Sequence, residues 1–256
     1  MDLGLSEHVY LVTGASRGLG RASAQALADE GACVVLASRG EEAVTAAARE
    51  VGAPDTVIGV TADLGDPATA QRLVETAVER FGRLDGALVS VGGPAPGGVM
   101  KASDDQWHAA FESVFLGAVR VVRAVAKACL DGGRGGSIAL VLSSSVKQPI
   151  GGLAISNGLR PGLAMTAKTL ADELGPQGVR VNALLPGRID TDRVRELDST
   201  SDDPDAARAA AERAIPLRRY GRPEEFGRTA AFVLSPAAGY ITGTTIAVDG
   251  GAIRTL

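Results

Sequence analysis

Short apolar runs alternate with longer stretches of helical spacing along this chain. The apolar runs occupy residues 9–12, 33–37, 56–61, 84–91, 137–142, 179–184 and 245–248. The helical stretches occupy residues 21–30, 41–51, 67–82, 103–130, 154–174 and 223–234, with Ser103 as the expected N-cap of the long one. Strands that are apolar on both faces and separated by helices are typical of a parallel sheet covered on both sides. The pattern therefore predicts an α/β protein: a three-layer, doubly wound parallel sheet.

The alternation also predicts the domain organisation. No repeat or shift in composition interrupts it, so residues 1–256 are expected to form a single domain. Residues 188–222 differ from the rest, because they are charged, rich in Arg and Asp, and only partly helical in pattern. Such a segment is often mobile and functional, so we expect it to act as a lid over a substrate pocket.

A glycine-rich turn joins the first apolar run to the first helix. It reads Thr13-Gly14-Ala15-Ser16-Arg17-Gly18-Leu19-Gly20. The unpaired N–H groups of a helix start attract an anion, and glycines let the backbone approach it closely. Because this turn follows a strand and precedes a helix, it predicts a site for the pyrophosphate of a dinucleotide.

Composition and charge exclude several classes of function. The net charge is −4 and no basic block is present, so nucleic acid is not an expected partner. No apolar run reaches the length that spans a membrane, and the first residues do not resemble a signal peptide. The two cysteines, Cys33 and Cys129, form no disulfide framework, and Cys33 is expected to be buried. No Cys/His cluster indicates a metal site, and we expect a cytoplasmic, reduced protein.

Four motifs give the chain a family resemblance. They are Thr13-Gly-x-x-x-Gly-x-Gly20, Asp63-Leu64, Pro186-Gly187-x-Ile189-x-Thr191, and Tyr240-Ile-Thr-Gly243 followed by Val248-Asp-Gly-Gly251. In this order and at these spacings the chain resembles the short-chain dehydrogenase/reductase family over essentially its whole length. The resemblance implies a seven-stranded Rossmann-like sheet, a bound NAD(H) or NADP(H), a small-molecule substrate, and a homotetramer or homodimer.

The same resemblance implies which residues contact the cofactor. Asp63 and Leu64 are expected at the adenine, and Ile189 and Thr191 at the nicotinamide carboxamide. The remaining implied contacts are Gly14, Ser16, Gly18, Leu19 and Gly20 in the turn, Gly92 after the fourth strand, and Pro186 and Gly187 after the sixth.

The second strand predicts which cofactor is bound. An NAD enzyme usually ends this strand with an acidic residue that accepts from the ribose 2′-hydroxyl. Here the strand ends in Ala37-Ser38-Arg39, and Arg17 adds a second guanidinium within the glycine turn. Arginines bind a phosphate with charge-assisted hydrogen bonds, so the sequence favours NADP(H) over NAD(H).

The catalytic motif of the family is replaced. Counting back from Lys168-Thr-Leu-Ala-Asp-Glu-Leu174, the position of the family's tyrosine is Ser156 and that of its lysine is Arg160. The family's serine is retained as Ser143, and no tyrosine occurs between Tyr10 and Tyr220. Serine is not appreciably acidic near neutral pH and arginine does not release a proton, so the standard proton relay is absent.

Two residues could replace the missing acid. Lys147 lies four residues after Ser143, and its ammonium could donate a proton if it were desolvated; the alternative is a solvated loop lysine. Tyr220 could swing in from the lid, although a packing role beside Pro223 is the favoured interpretation.

Three functions remain open at this stage. The first is an NADP(H)-dependent oxidoreductase acting on a small carbonyl, alcohol or imine. Ser143 would orient the reacting group, Ser156 would hydrogen-bond to it, Arg160 would hold the ribose, and Lys147 or water would supply the proton. The second is a catalytically silent NADP-binding sensor or partner subunit, and the third is a non-redox reaction with a structural cofactor.

Overall fold

A computed structural model describes residues 2–199 and 201–255, which form one seven-stranded, all-parallel sheet with the strand order β3-β2-β1-β4-β5-β6-β7. The strands are β1 (Val9–Thr13), β2 (Cys33–Ser38), β3 (Val57–Thr61), β4 (Gly86–Ser90), β5 (Gly136–Val141), β6 (Val179–Pro186) and β7 (Thr245–Val248). The α-helices are α1 (Gly18–Asp29), α2 (Glu41–Val51), α3 (Thr69–Phe81), α4 (Asp104–Ala110), α5 (Gly117–Asp131), α6 (Ala154–Leu174), α7 (Asp192–Asp198), α8 (Pro204–Ala214) and α9 (Pro223–Leu234). The predicted doubly wound α/β fold is confirmed.

Alternating strand residues supply the two faces of the core. Val9 and Leu11 of β1 point to one face, where α3, α5 and α6 cover the sheet. Tyr10 and Val12 point to the other face, which is covered by α1, α2 and α9. The fully buried Tyr10 donates a hydrogen bond from its hydroxyl to the carbonyl of Leu234 at the end of α9, 3.1 Å away.

The strand order places a crevice between β1 and β4. On one side of β1 the chain continues to β2 and β3, and on the other side it continues to β4, so the connections diverge at this point. Ligands of open α/β sheets bind in such crevices, outside the carboxyl ends of the strands. Thr13 fixes the crevice, because its hydroxyl donates to the carbonyl of Ser90 at 2.8 Å and accepts from the amide of Ser90 at 2.9 Å.

The long predicted helix over 103–130 is interrupted. It begins as expected at Ser103, whose hydroxyl and the side chain of Gln106 form a reciprocal capping box. Residues Phe111–Leu116 then form a π-helical turn before α5 begins. Gly117, the first residue of α5, packs against the backbone of Leu64, where an added Cβ would lie 2.6 Å from the carbonyl oxygen. The π-helical turn lies directly before this close approach of Gly117 to Leu64, and periodicity alone reveals neither feature.

One smaller expectation changes, and the segment 188–222 is partly helical as expected. The expectation that Cys33 is buried is wrong, since this first residue of β2 is partly exposed. Within 188–222, the structure forms two helices, α7 and α8, joined by a short segment that includes residue 200, which lies outside the described residues. Among the helices described, none combines the length and the apolar character needed to cross a membrane.

Candidate functional site

Two adjoining cavities form one groove along the carboxyl ends of the strands. The first, of about 540 Å³, lies beside β2 and is called the β2-side cavity. The second, of about 450 Å³, lies beside β6 and is called the β6-side cavity. Both are lined by Gly14, Arg17 and residues 90–94, so the glycine turn lies where the two cavities meet.

The backbone of the glycine turn is shaped as an anion cradle. Gly14 and Gly18 adopt φ values of +61° and +60°, which favour glycine. A Cβ on Gly14 would lie 2.8 Å from the carbonyl oxygen of Ser90, and one on Gly20 would lie 2.4 Å from that of Gly14. The N-cap of α1, Arg17, makes no side-chain hydrogen bond to the helix. The free N–H groups of the first turn, with the helix dipole, are therefore available to a phosphate.

The β2-side cavity contains an orphaned polar atom. Ser38 Oγ, at the end of β2, is the one buried side-chain oxygen or nitrogen without a hydrogen-bond partner among the residues described. Arg39 beside it is exposed, and Asp63 and Leu64 line the same cavity with Ser16. A free hydroxyl next to an exposed guanidinium fits a ribose that carries a 2′-phosphate. No carboxylate follows β2 directly.

Arg17 has a different neighbour from the one expected. Its side chain is 63% exposed, and its Nη1 lies 3.7 Å from Asp192 Oδ2 and 3.5 Å from Glu196 Oε1, both on α7. The guanidinium is thus attracted to acids on α7, although Arg17 also lines the β2-side cavity together with Arg39. Sequence analysis did not anticipate this contact, because the partners lie more than 170 residues apart along the chain.

The β6-side cavity brings together three of the four residues with predicted catalytic roles. Ser143 follows β5, and its hydroxyl accepts a hydrogen bond from the amide of Ser145 at 3.1 Å. The hydroxyls of Ser145 and Ser156 lie 3.5 Å apart. Ser156 and Arg160 are one helical turn apart on α6 and therefore face the same cavity. The cavity is completed by the expected Leu19, Gly92, Pro186, Gly187, Ile189 and Thr191.

Arg160 is a buried cation. Arg160 is only 7% exposed, and its Nη1 donates to the carbonyls of Val141 at 3.0 Å and Leu142 at 3.1 Å. Burial lowers the pKa of the guanidinium to about 10, so it stays protonated near neutral pH. Within the described chain no carboxylate pairs with it, and Nε and Nη2 make no hydrogen bond. The cavity therefore contains a positive charge that can bind a ribose oxygen or polarise a substrate oxygen.

The two proposed replacements for the missing acid lie elsewhere. Lys147 is exposed and does not line the β6-side cavity, because the 3₁₀ turn Ser144–Val146 carries it to the surface. The proposed role of Lys147 as a proton donor required a desolvated ammonium, and the exposed position does not provide one. Tyr220 is buried: its hydroxyl donates to Asp198 Oδ2 at 3.0 Å, and the Arg208 guanidinium stacks on its ring at 4.6 Å. Burial raises the pKa of this phenol, and its packing anchors α7 and α8 together.

The loops that border the cavity are tied to each other. Gly97 donates its N–H to the carbonyl of Gly152 at 2.7 Å and accepts from the N–H of Ala154 at 3.0 Å. The side-chain amide of Asn157 bonds both to the N–H and to the carbonyl of Ile150, which lines the cavity. The loop over 92–98 is therefore joined to the start of α6.

Sequence analysis missed two cationic residues of the β6-side cavity. Arg188 and Arg193 both line it. Arg188 forms an ion pair with Asp198 at 2.5 Å, whereas Arg193 lies against Gly93 on the opposite wall. The sequence did offer a signal, because Arg188 directly precedes Ile189 and Arg193 lies two residues after Thr191, and both of those residues were expected at the cofactor.

Comparisons with known proteins agree with the fold described above. Residues 14–252 match the family model described as enoyl-(acyl carrier protein) reductase. An uncharacterized oxidoreductase of Mycobacterium tuberculosis (strain H37Rv) is 39% identical over 246 residues, which cover 94% of this chain and 89% of the relative. L-Sorbose reductase from Gluconobacter frateurii, solved with NADPH and L-sorbose, superimposes with a TM-score of 0.92 at 31% identity over 100% of both chains.

A third solved structure also superimposes on this chain. The apo structure of a short-chain oxidoreductase from Pseudomonas aeruginosa PAO1, described as containing an atypical catalytic center, superimposes with a TM-score of 0.90 at 27% identity. The alignment covers 98% of this chain and 99% of that one.

Proposed function

The chain belongs to the short-chain dehydrogenase/reductase family, and from that premise we propose that it is an NADP(H)-dependent oxidoreductase with a non-standard active site. Its substrate is a small-molecule carbonyl, alcohol or imine. The observation that carries this proposal is the continuity of the groove: the glycine cradle leads on one side to Ser38 and Arg39, and on the other to Ser143, Ser156 and Arg160.

The β2-side cavity supports the choice of NADP(H). The unpartnered Ser38 Oγ and the exposed Arg39 offer a hydroxyl and a guanidinium at the end of β2. A 2′-phosphate satisfies both, whereas a ribose 2′-hydroxyl finds no carboxylate directly after this strand. Asp63 and Leu64 border the adenine, and Thr191 and Ile189 the carboxamide, as in the family.

The chemistry in the β6-side cavity depends on orientation and charge. When bound in this groove, NADPH would supply a hydride to the substrate carbon and would leave as NADP+, and water would supply the proton gained by the substrate oxygen or imine nitrogen. Ser143 orients that oxygen and Ser156 donates a hydrogen bond to it. Arg160, which remains protonated, holds the ribose and stabilises the negative charge that develops during reduction.

A second candidate function has one observation in its favour. No tyrosine, histidine, lysine or cysteine is among the described residues that line the β6-side cavity. A protein that binds NADP(H) there without turnover, as a sensor or a partner subunit, needs no such group. The proposal also includes a single domain, a lid formed by 188–222, a cytoplasmic location and a homotetramer or homodimer, as the family implies.

Turnover measurements distinguish these functions. NADPH oxidation is followed by absorbance with a panel of small ketones, aldehydes and cyclic imines. Ser143→Ala is expected to lower kcat/KM at least tenfold, about 1.4 kcal/mol of barrier. Lys147→Ala is the matched control, since this exposed side chain lies outside the cavity, and its rate is expected within about twofold of wild type. Tight NADPH binding without turnover of any substrate supports the silent protein instead.

A further inference from the structure

Helix α7 crosses the mouth of the groove, and one of its side chains reaches the opposite wall. Arg193 projects from α7, and a Cβ on Gly93 would lie 3.4 Å from both Nε and Nη2 of this arginine. Gly93 belongs to the segment that follows β4, and both residues line the β6-side cavity. The guanidinium of Arg193 therefore bridges the two walls of the groove beside the glycine turn.

A single carboxylate is shared by Arg193 and Arg17. Glu196 Oε2 lies 3.8 Å from Arg193 Nη1, and its Oε1 lies 3.5 Å from Arg17 Nη1. Both distances exceed the roughly 2.7–2.9 Å of a close charge-assisted hydrogen bond. Nearby pairs are tighter, since Arg195 lies 2.9 Å from Asp190. The two guanidiniums are thus loosely compensated and remain 44% and 63% exposed.

Resting on the proposed function, we propose that Arg193 is a cofactor-binding residue that clamps the pyrophosphate from the side opposite to α1. The N-terminus of α1 binds the pyrophosphate from below through backbone N–H groups. The guanidinium of Arg193 can donate two parallel hydrogen bonds to two adjacent phosphate oxygens. Its pairing with Glu196 is long and solvent-exposed, so no buried ion pair has to be broken first. Glu196, which lies near both guanidiniums, competes with the pyrophosphate for Arg193.

The two residues therefore have opposite effects on affinity. Arg193→Gln removes a charge-assisted bond to the pyrophosphate, and the Kd for NADPH is expected to rise about tenfold. Glu196→Gln removes both the competing carboxylate and its repulsion of the phosphates, so the Kd is expected to fall about threefold. If Arg193 and Glu196 only stabilised α7, both substitutions would weaken NADPH binding.

Three ligands locate the contact. The Kd values for NADPH, for 2′-phospho-ADP-ribose and for adenosine 2′-monophosphate, which has no 5′-phosphate, are measured by calorimetry, and thermal unfolding checks that each variant is folded. The first two ligands contain the pyrophosphate and the third does not. Arg193→Gln is expected to weaken only the first two. Arg195→Gln is the matched control, because it removes the same charge from the same helix but lines a cavity outside the groove.

Each result decides the question. An equal loss of affinity in Arg193→Gln and Arg195→Gln, or an equal loss for all three ligands, would overturn the clamp. Weaker NADPH binding by Glu196→Gln would also overturn it. If the wild-type protein binds NADPH and Arg193→Gln binds it equally tightly, the clamp is refuted but the proposed function is not. Failure of the wild-type protein to bind NADPH and NADH refutes the proposed function together with it.

Discussion

Arg39 is the residue at which the choice of cofactor can be tested most sharply. It is exposed at the end of β2 and lines the β2-side cavity next to the unpartnered Ser38 Oγ. A solvent-exposed guanidinium bound to a phosphate contributes roughly 1.4 kcal/mol, which is a factor of about ten in Kd. We therefore expect Arg39→Gln to raise the Kd for NADPH about tenfold and to leave that for NADH unchanged.

A second substitution reverses the preference. Ser38→Asp places a carboxylate where NAD enzymes hold the ribose 2′-hydroxyl, and it repels a 2′-phosphate. The ratio of the Kd for NADH to that for NADPH is expected to fall about a hundredfold, the product of a gain for one ligand and a loss for the other.

Fluorescence titration with both reduced cofactors provides the assay. Arg21→Gln is the control, since Arg21 lies on α1 outside the groove, where it is paired with Glu50. Equal weakening of NADPH and NADH by Arg39→Gln would refute the assignment. So would wild-type protein that binds NADH as tightly as NADPH.

Three further predictions concern the cradle and the scaffold that positions it. Gly20→Ala places a Cβ 2.4 Å from the carbonyl oxygen of Gly14, so titration should show at least a thirtyfold loss of NADPH affinity, about 2 kcal/mol, while the sheet stays folded. Arg180 donates to three carbonyls at the end of α9 and to the carbonyl of Ile241, and Arg180→Met should lower the free energy of unfolding in urea by about 2–4 kcal/mol, since those acceptors lose their donor. Glu225 accepts two bonds from Arg219, which lower the pKa of its carboxyl to about 2. Glu225→Gln should therefore cost about 1 kcal/mol at pH 7, given the solvent screening of this partly exposed pair, and the difference from wild type should shrink as the pH falls from about 4 towards 2.

Periodicity predicted the regular elements of this fold well. The structure places α2, α6 and α9 at the predicted bounds, because each starts and ends where the sequence changes its apolar spacing or presents a glycine, proline or polar residue. It failed at Phe111–Leu116, where one wider turn of helix changes no more than a single repeat of the pattern. Local spacing does not record the approach of Gly117 to Leu64 that follows this turn.

The groove itself was only partly predictable. Positions at or just after the carboxyl ends of strands, such as Pro186 and Ser143, could be assigned from the order of elements, since parallel strands end at one edge. The contacts of Arg17 and Arg193 with Glu196 depend on how α7 crosses that edge, which the sequence does not specify. Lys147 was assigned to the cavity by its spacing from Ser143, yet one 3₁₀ turn places it in solvent.

Hydride transfer without a tyrosine in the cavity is the central claim, and a single isotope measurement tests it most directly. The protein is mixed in excess with NADPH deuterated at the transferring position of C4 and with the carbonyl panel, and the products are analysed by mass spectrometry. We predict one deuterium in the alcohol product. Tyr220→Phe is expected to give the same labelled product, and Ser143→Ala is expected to form it at least tenfold more slowly, about 1.4 kcal/mol of barrier. Tight binding of NADPH with no deuterium in any product would contradict the account.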